Sequence, residues 1–201
     1  SEAEQRLRIV NLFDINALRY KTDETLKLIK EKQSVNGGWS WMPGMAESPF
    51  ITQYILGGFG RLYKMNVIES LTSEQQNKVD AITNKAVEYL YNNIVNNYDT
   101  YKDVKKYYVS SRFVVKELYA LSFFDFEESE RYKEAKNFFM EKLQKDWRDF
   151  DFALQAKSAL VLSREGNKEV AELIMKSLKE RMSQPSSSTD VEEQALIMEE
   201  F

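Results

Sequence analysis

Apolar residues recur along this chain at spacings of three and four, separated by charged and amide side chains, which is the period of helices with one buried face. Thr72 with Gln75 forms a capping box ahead of a long helix, predicted to run to about Asn96, on which Val79, Ile82, Ala86, Leu90 and Ile94 mark the inward stripe. The same period predicts a helix from Tyr107 through Val114, Leu118 and Leu121, and another over Ser129 to Gln144 with Tyr132, Ala135, Phe139 and Leu143 inward. Asp149 or Asp151 can cap the next, whose face is small at Ala153, Ala156 and Ala159, and Gly166 ends it. Val170, Ile174 and Leu178 carry the pattern into a further helix.

Toward the amino end, the pattern predicts a helix over Ala3 to Asn11 and a second over Leu18 to Lys32 behind a Thr22-Asp23 start signal. Ser48-Pro49 opens another, with serine capping a free amide and proline in the first turn, and Ile51, Ile55, Gly58 and Leu62 are expected on its inward face. Tyr98 to Lys106 reads as a polar, tyrosine-bearing connection. At the other end, 184–189 reads as a flexible or trimmed join, after which Thr189 and Glu192 cap a last helix bearing Val191, Ala195 and Met198. The total is about nine helices, mostly in antiparallel hairpins of about 35 to 45 residues, and no segment alternates long enough to predict a strand.

Composition narrows the chemistry more than the folding. With 201 residues, 43% of them apolar, one domain spanning 1–201 can bury a substantial core. The polar start and the still-helical end at Phe201 read as a piece cut from a larger multidomain protein. Opposing charges of 28 and 32 leave a net −4, and no Lys/Arg cluster suits phosphates, so nucleic acid is not an expected partner. The chain has no cysteine and no histidine, which removes disulfides, thiolate nucleophiles, Ser-His-Asp triads and zinc sites built on Cys or His. No cofactor or metal is expected, although a carboxylate-only site for a hard cation stays open. No run of 18 apolar residues predicts a membrane span.

Three motifs invite chemical readings. Gly57-Gly58-Phe59-Gly60 costs a helix about 1 kcal/mol per glycine relative to alanine, for which close helix approach is the expected reason. A phosphate loop is disfavoured, since no strand precedes it and no Lys-Ser/Thr follows. Asp149 with Asp151, Glu127 with Glu128, and Glu192 with Glu193 are carboxylate pairs of the kind a glycosidase uses, yet caps and solvated faces account for each. The tyrosines of Tyr98 to Tyr108 suit either a sugar-lined groove or packing at a helix end.

The most unusual stretch is Gln33-Ser34-Val35-Asn36-Gly37-Gly38-Trp39-Ser40-Trp41-Met42-Pro43-Gly44. Burying one tryptophan removes about 150 to 250 Å² from water, an upper bound of about 4 to 6 kcal/mol. Gly37 and Gly38 permit a turn that folds Trp39 back onto a helix, while Gln33 can bond backbone groups left open at the preceding helix end. The stretch therefore predicts a helix-end staple, with ligand contact as the competing role. The binding candidates are Trp39, Trp41, Tyr54 and Tyr107.

Glutamine at a helix end followed by Gly-Gly-Trp resembles the recurring staple of α/α toroids, the folds of terpenoid cyclases, protein prenyltransferases and complement-type thioester domains. Extended through Ser48-Pro49-Phe50-Ile51-Thr52-Gln53-Tyr54-Ile55-Leu56-Gly57-Gly58, the stretch resembles the thioester-domain region of bacterial alpha-2-macroglobulin-like proteins. Ser122-Phe123-Phe124, the Ala-rich helix around Gln155, the Leu173 to Arg181 helix and Val191 to Leu196 follow in a matching order. The family's covalent members use a Cys-x-Glu-Gln thioester, and no cysteine exists here; Glu193-Gln194 lies after the Gly-Gly-Trp loop, where the thioester would precede it.

The resemblance implies an all-α domain, an α/α toroid, within an envelope-anchored, periplasmic or secreted bacterial protein. Its implied partners are proteases and neighbouring β-sandwich domains, and its implied role is non-catalytic, in non-covalent trapping or inhibition. The alternative is a toroid enzyme or binding module acting on carbohydrate or isoprenoid.

Overall fold

Residues 2–103 and 111–182 are described by the computed structural model, and among them lie seven α-helices and one short β-ladder. Helix α1 (Glu2–Lys32) is a single unbroken helix where the sequence pattern predicts two. Thr22, expected as a start signal, instead donates Oγ1 to the Leu18 carbonyl at 2.9 Å, and Thr25 does the same to Lys21 at 2.8 Å. A hydroxyl that bonds backward within a turn sits inside a helix rather than capping one.

The Gly-Gly-Trp loop then closes on a ladder that the sequence does not predict. Strand β1 (Trp39–Ser40) pairs antiparallel with β2 (Glu47–Ser48), matching Trp39 to Ser48 and Ser40 to Glu47. Strands of two residues are too short for any alternation to show.

Helix α2 (Pro49–Lys64) starts as expected, with Ser48 Oγ facing the Ile51 amide and Pro49 in the first turn. Its buried face is rotated from the predicted one. Thr52, Gln53, Leu56, Gly57, Phe59 and Gly60 are inward, while Ile51, Ile55 and Gly58 are half-buried and Leu62 is exposed. The reason is the aromatic wall opposite: a Cβ on Gly60 would come within 2.4 Å of the Phe123 ring, and one on Gly57 would touch Ala120 at 3.8 Å. Close approach therefore demands glycine at Gly60 alone of the three, since 3.8 Å is an ordinary contact distance. A Cβ on Gly58 meets nothing within 4 Å. Gly58→Ala is therefore expected to raise stability by about 0.5 to 1 kcal/mol through helix propensity alone, read as a higher urea midpoint at unchanged slope.

A 3₁₀ turn (Ile68–Ser70) leads to α3 (Ser73–Tyr101). Its capping box is complete: the Gln75 amide donates to Thr72 Oγ1 at 3.3 Å and the Thr72 amide to Gln75 Oε1 at 3.2 Å. Val79, Ile82, Ala86, Leu90 and Ile94 are all buried, as the stripe predicts. The helix outruns its expected end near Asn96 and reaches Tyr101, so the first part of the predicted connection is helical. There Tyr98 packs edge-on to Phe138 at 5.3 Å between centroids, with the Arg131 guanidinium 4.9 Å above it. Tyr98 is thus packing at a helix end.

Helix α4 (Ser111–Leu121) buries Val114, Leu118 and Leu121. Helix α5 (Glu130–Asp146) is capped by Ser129, whose Oγ accepts from the Tyr132 amide at 3.2 Å, and it buries Tyr132, Ala135, Phe139 and Leu143. Tyr132 stacks on Tyr91 with centroids 4.4 Å apart, tying α5 to α3. After a second 3₁₀ turn (Trp147–Asp149), Asp151 caps α6 (Phe152–Arg164), its Oδ1 accepting from the Leu154 amide at 2.9 Å. Gly166, at φ +84°, turns the chain into α7 (Lys168–Met182). Ala156, Ser158 and Ala159 are fully buried, so small side chains let α6 lie close to both α4 and α7.

The helices form two rows. In one, α4 lies between α2 and α6; in the other, α3 lies between α1 and α5. Tyr107, the 184–189 join, the predicted last helix and Glu193-Gln194 lie outside the described residues.

Candidate functional site

Trp39 is 4% exposed and bonded at both ends. Its amide donates to Thr52 Oγ1 at 3.1 Å, and Thr52, itself fully buried, donates onward to the Ser48 carbonyl at 2.9 Å. Its indole Nε1 donates to the Ile29 carbonyl at 2.9 Å. Ile29 lies in the last turn of α1, where carbonyls lack intrahelical donors, because the Gln33 amide bonds Lys30 instead. Trp39 therefore closes the end of α1 and fastens it to the start of α2.

Gln33 completes the staple. Its Nε2 donates to the Gly37 carbonyl and to the Ile82 carbonyl of α3, both at 2.9 Å. Gly37 has φ +91°, and a Cβ there would lie 2.1 Å from the Lys85 carbonyl oxygen. One loop thus holds three helices, through the Trp39 indole to α1, the Trp39 main-chain amide to α2 and the Gln33 side chain to α3.

Trp41, two residues on, faces outward at 61% exposure. It stacks on Phe50 with centroids 5.7 Å apart and planes 14° from parallel. Lys116 Nζ lies 5.3 Å from the centroid of that same Phe50 ring. Tyr54 is exposed on α2, where it borders an apolar groove with Leu18, Ile55 and Leu62 rather than joining Trp41. The candidates therefore divide into a buried anchor, an exposed stacked aromatic and an exposed tyrosine elsewhere. Trp41→Ala is expected to cost about 1 kcal/mol by urea denaturation, from the lost Phe50 stack and the partly covered ring, well below the cost of truncating Trp39.

Beside the Trp41–Phe50 stack opens a cleft of about 310 Å³, where the start of α2 meets α3 and α4. Its lining includes Phe50, Gln53, Asn93, Phe113 and Glu117, none of them anticipated as site residues. Glu117 is 2% exposed, and both its oxygens accept from Asn93 Nδ2, at 3.0 and 2.9 Å. A signal was present in the sequence: Glu117 falls on the stripe of Val114, Leu118 and Leu121, where an apolar residue belongs.

Burial pushes the Glu117 carboxyl up to about 7, against the lowering effect of the Asn93 hydrogen bonds. The folded state then keeps a proton that the unfolded chain has released, between the ordinary 4.5 and about 7. Stability contributed here is present at low pH and lost as pH rises through that window, by up to about 3 kcal/mol. Glu117→Gln is expected to flatten this part of the profile, read as the difference between parent and variant urea midpoints from pH 4.5 to 7.5.

Two carboxylates of the predicted pairs have local roles. Asp151 is a helix cap, and Glu128 pairs with Lys136 at 2.6 Å. Among the described residues no group of three or more acidic side chains gathers as a metal site would require. No described helix is long and apolar enough to cross a membrane. Comparison with protein-family models, curated proteins and solved structures yields no significant match to this chain.

Proposed function

We propose that this chain is a non-catalytic α/α-toroid domain of an alpha-2-macroglobulin-like protein of the bacterial envelope or periplasm, acting in non-covalent protease trapping or inhibition. The observation that carries this reading is the use made of Gln33 to Trp39: the stretch bearing the resemblance is spent on joining α1, α2 and α3 and presents no reactive group. Helices arranged in two rows support a toroid. The lack of cysteine supports a thioester-free role, in which the domain serves as a packing and conformational element beside β-sandwich domains.

Mass spectrometry after incubation with methylamine and with proteases tests the covalent question. The mass of this chain is expected to stay unchanged, and an adduct on it refutes non-covalent action. The flanking coding sequence tests the family: β-rich domains and an export signal are expected, and a reading frame without them overturns the assignment.

Exposed Trp41 favours a second reading, a module binding carbohydrate or isoprenoid, because an open indole face can stack on a sugar ring. Saccharide or prenyl diphosphate binding that Trp41→Ala abolishes would establish it in place of the first.

A further inference from the structure

The Glu117 cleft has a chemistry that neither reading uses. A buried carboxylate is costly unless paired, and a single amide nitrogen is the only hydrogen-bond donor to Glu117 among the described residues. An ionised carboxylate offers about four acceptor positions, so two are left. The neighbouring amides add acceptors as well. Asn93 Nδ2 is committed to Glu117, and Gln53 Nε2 donates one of its two hydrogens to the Phe50 carbonyl at 3.0 Å, so the two amides keep both oxygens and, on Gln53, one N–H. Around Glu117 the free acceptors, its own oxygens and those of Asn93 and Gln53, therefore outnumber the free donors, while Ser48, Asn97 and Lys116 complete the polar lining. Its walls include two aromatic side chains, Phe50 and the exposed Phe113.

We propose that this cleft binds the guanidinium or primary ammonium of a lysine- or arginine-like organic cation, with Glu117 as its counter-ion. The aliphatic stem of such a ligand lies between Phe50 and Phe113, where alkyl surface and ring faces are complementary. Its head group supplies the donors that Glu117 and the amide oxygens lack, in a setting where charge-assisted hydrogen bonds are strong. An anion would instead face the Glu117 carboxylate, with Lys116 as the cationic side chain of the lining. Lys116 at the rim, over Phe50, shows that this ring already accommodates a cation, and it competes with an incoming one by like-charge repulsion that solvent only partly screens. Because the site is read on this chain alone, its failure would leave the family reading untouched.

The test titrates the chain at pH 8, where Glu117 is ionised, with N-acetyl-arginine amide, N-acetyl-lysine amide, putrescine and the neutral isostere N-acetyl-citrulline amide, following the side-chain amide resonances of Asn93 and Gln53 by NMR. The cationic amides are expected to move both resonances, with citrulline amide at least about tenfold weaker, as loss of a charged hydrogen-bonding partner requires. Glu117→Gln, which keeps the shape and the Asn93 contact, is expected to weaken the cations at least about tenfold without weakening citrulline amide. Lys116→Gln is expected to tighten them, a change of sign that a merely structural role for the cleft would not produce. Putrescine binding without the amino-acid amides would assign the site to free polyamines rather than peptide side chains. Equal binding of citrulline and arginine amides, or no response to any cation, overturns the proposal. Should Glu117→Gln fail to fold, the citrulline and Lys116→Gln arms decide it.

Discussion

Trp39→Ala is expected to destabilise the protein by about 3 to 5 kcal/mol, measured as a fall in urea midpoint at unchanged slope. Truncation removes a side chain that is 4% exposed and leaves a cavity where α1, α2 and the ladder meet. It also strips the indole donor from the Ile29 carbonyl in the last turn of α1. Trp39→Phe separates the two contributions: it keeps most of the apolar volume and loses only the indole hydrogen bond, so its cost is expected to be less than half. A Trp39→Ala variant that melts like the parent while losing a binding partner would mean that the residue is a contact and not a staple.

Gly37→Ala is expected to cost more than about 3 kcal/mol, because two penalties coincide. A φ of +91° is a conformation that L side chains rarely adopt, and the new methyl would lie 2.1 Å from the Lys85 carbonyl oxygen and 2.6 Å from its carbon. Both atoms belong to the backbone inside α3, which cannot yield as a side-chain tip would. Gly44→Ala is the control. It shares the unusual backbone, with φ +83°, but meets nothing within 4 Å, so it should cost only about 1 to 2 kcal/mol. Equal effects at the two positions would show that the collision at Lys85 is relieved and that the loop does not press on α3.

Much of the all-α framework was legible in the sequence because helices are specified locally. Ser48, Thr72 and Asp151 cap where their side chains predict, the helix expected from Ser129 starts there, and the stripe from Val79 to Ile94 is buried throughout. The mistakes have local causes too. Thr22 looks the same in sequence whether it caps a helix or bonds backward within one, and only the surrounding turns separate the two cases. On α2 the periodicity identifies a helix without choosing among its faces, since apolar residues lie nearly all round it; contact of Gly60 with Phe123, which lies beyond α4 in the chain, leaves Ile55 half-buried and Leu62 exposed.

The site divides along the same line. By itself the sequence determined that Gln33 to Trp39 would end one helix and pin it, because a glutamine, two glycines and a tryptophan carry that geometry within seven residues. It also determined what chemistry is missing, since a chain without cysteine or histidine cannot supply those groups in any fold. Only the tertiary structure decided which helices the staple joins, that Trp39 turns inward while Trp41 turns out, and that Glu117 meets Asn93 across two helices beside Phe50. The physical reason is range: caps, turns and periodic stripes act over a few residues, whereas burial of a charge depends on surfaces brought together from distant parts of the chain.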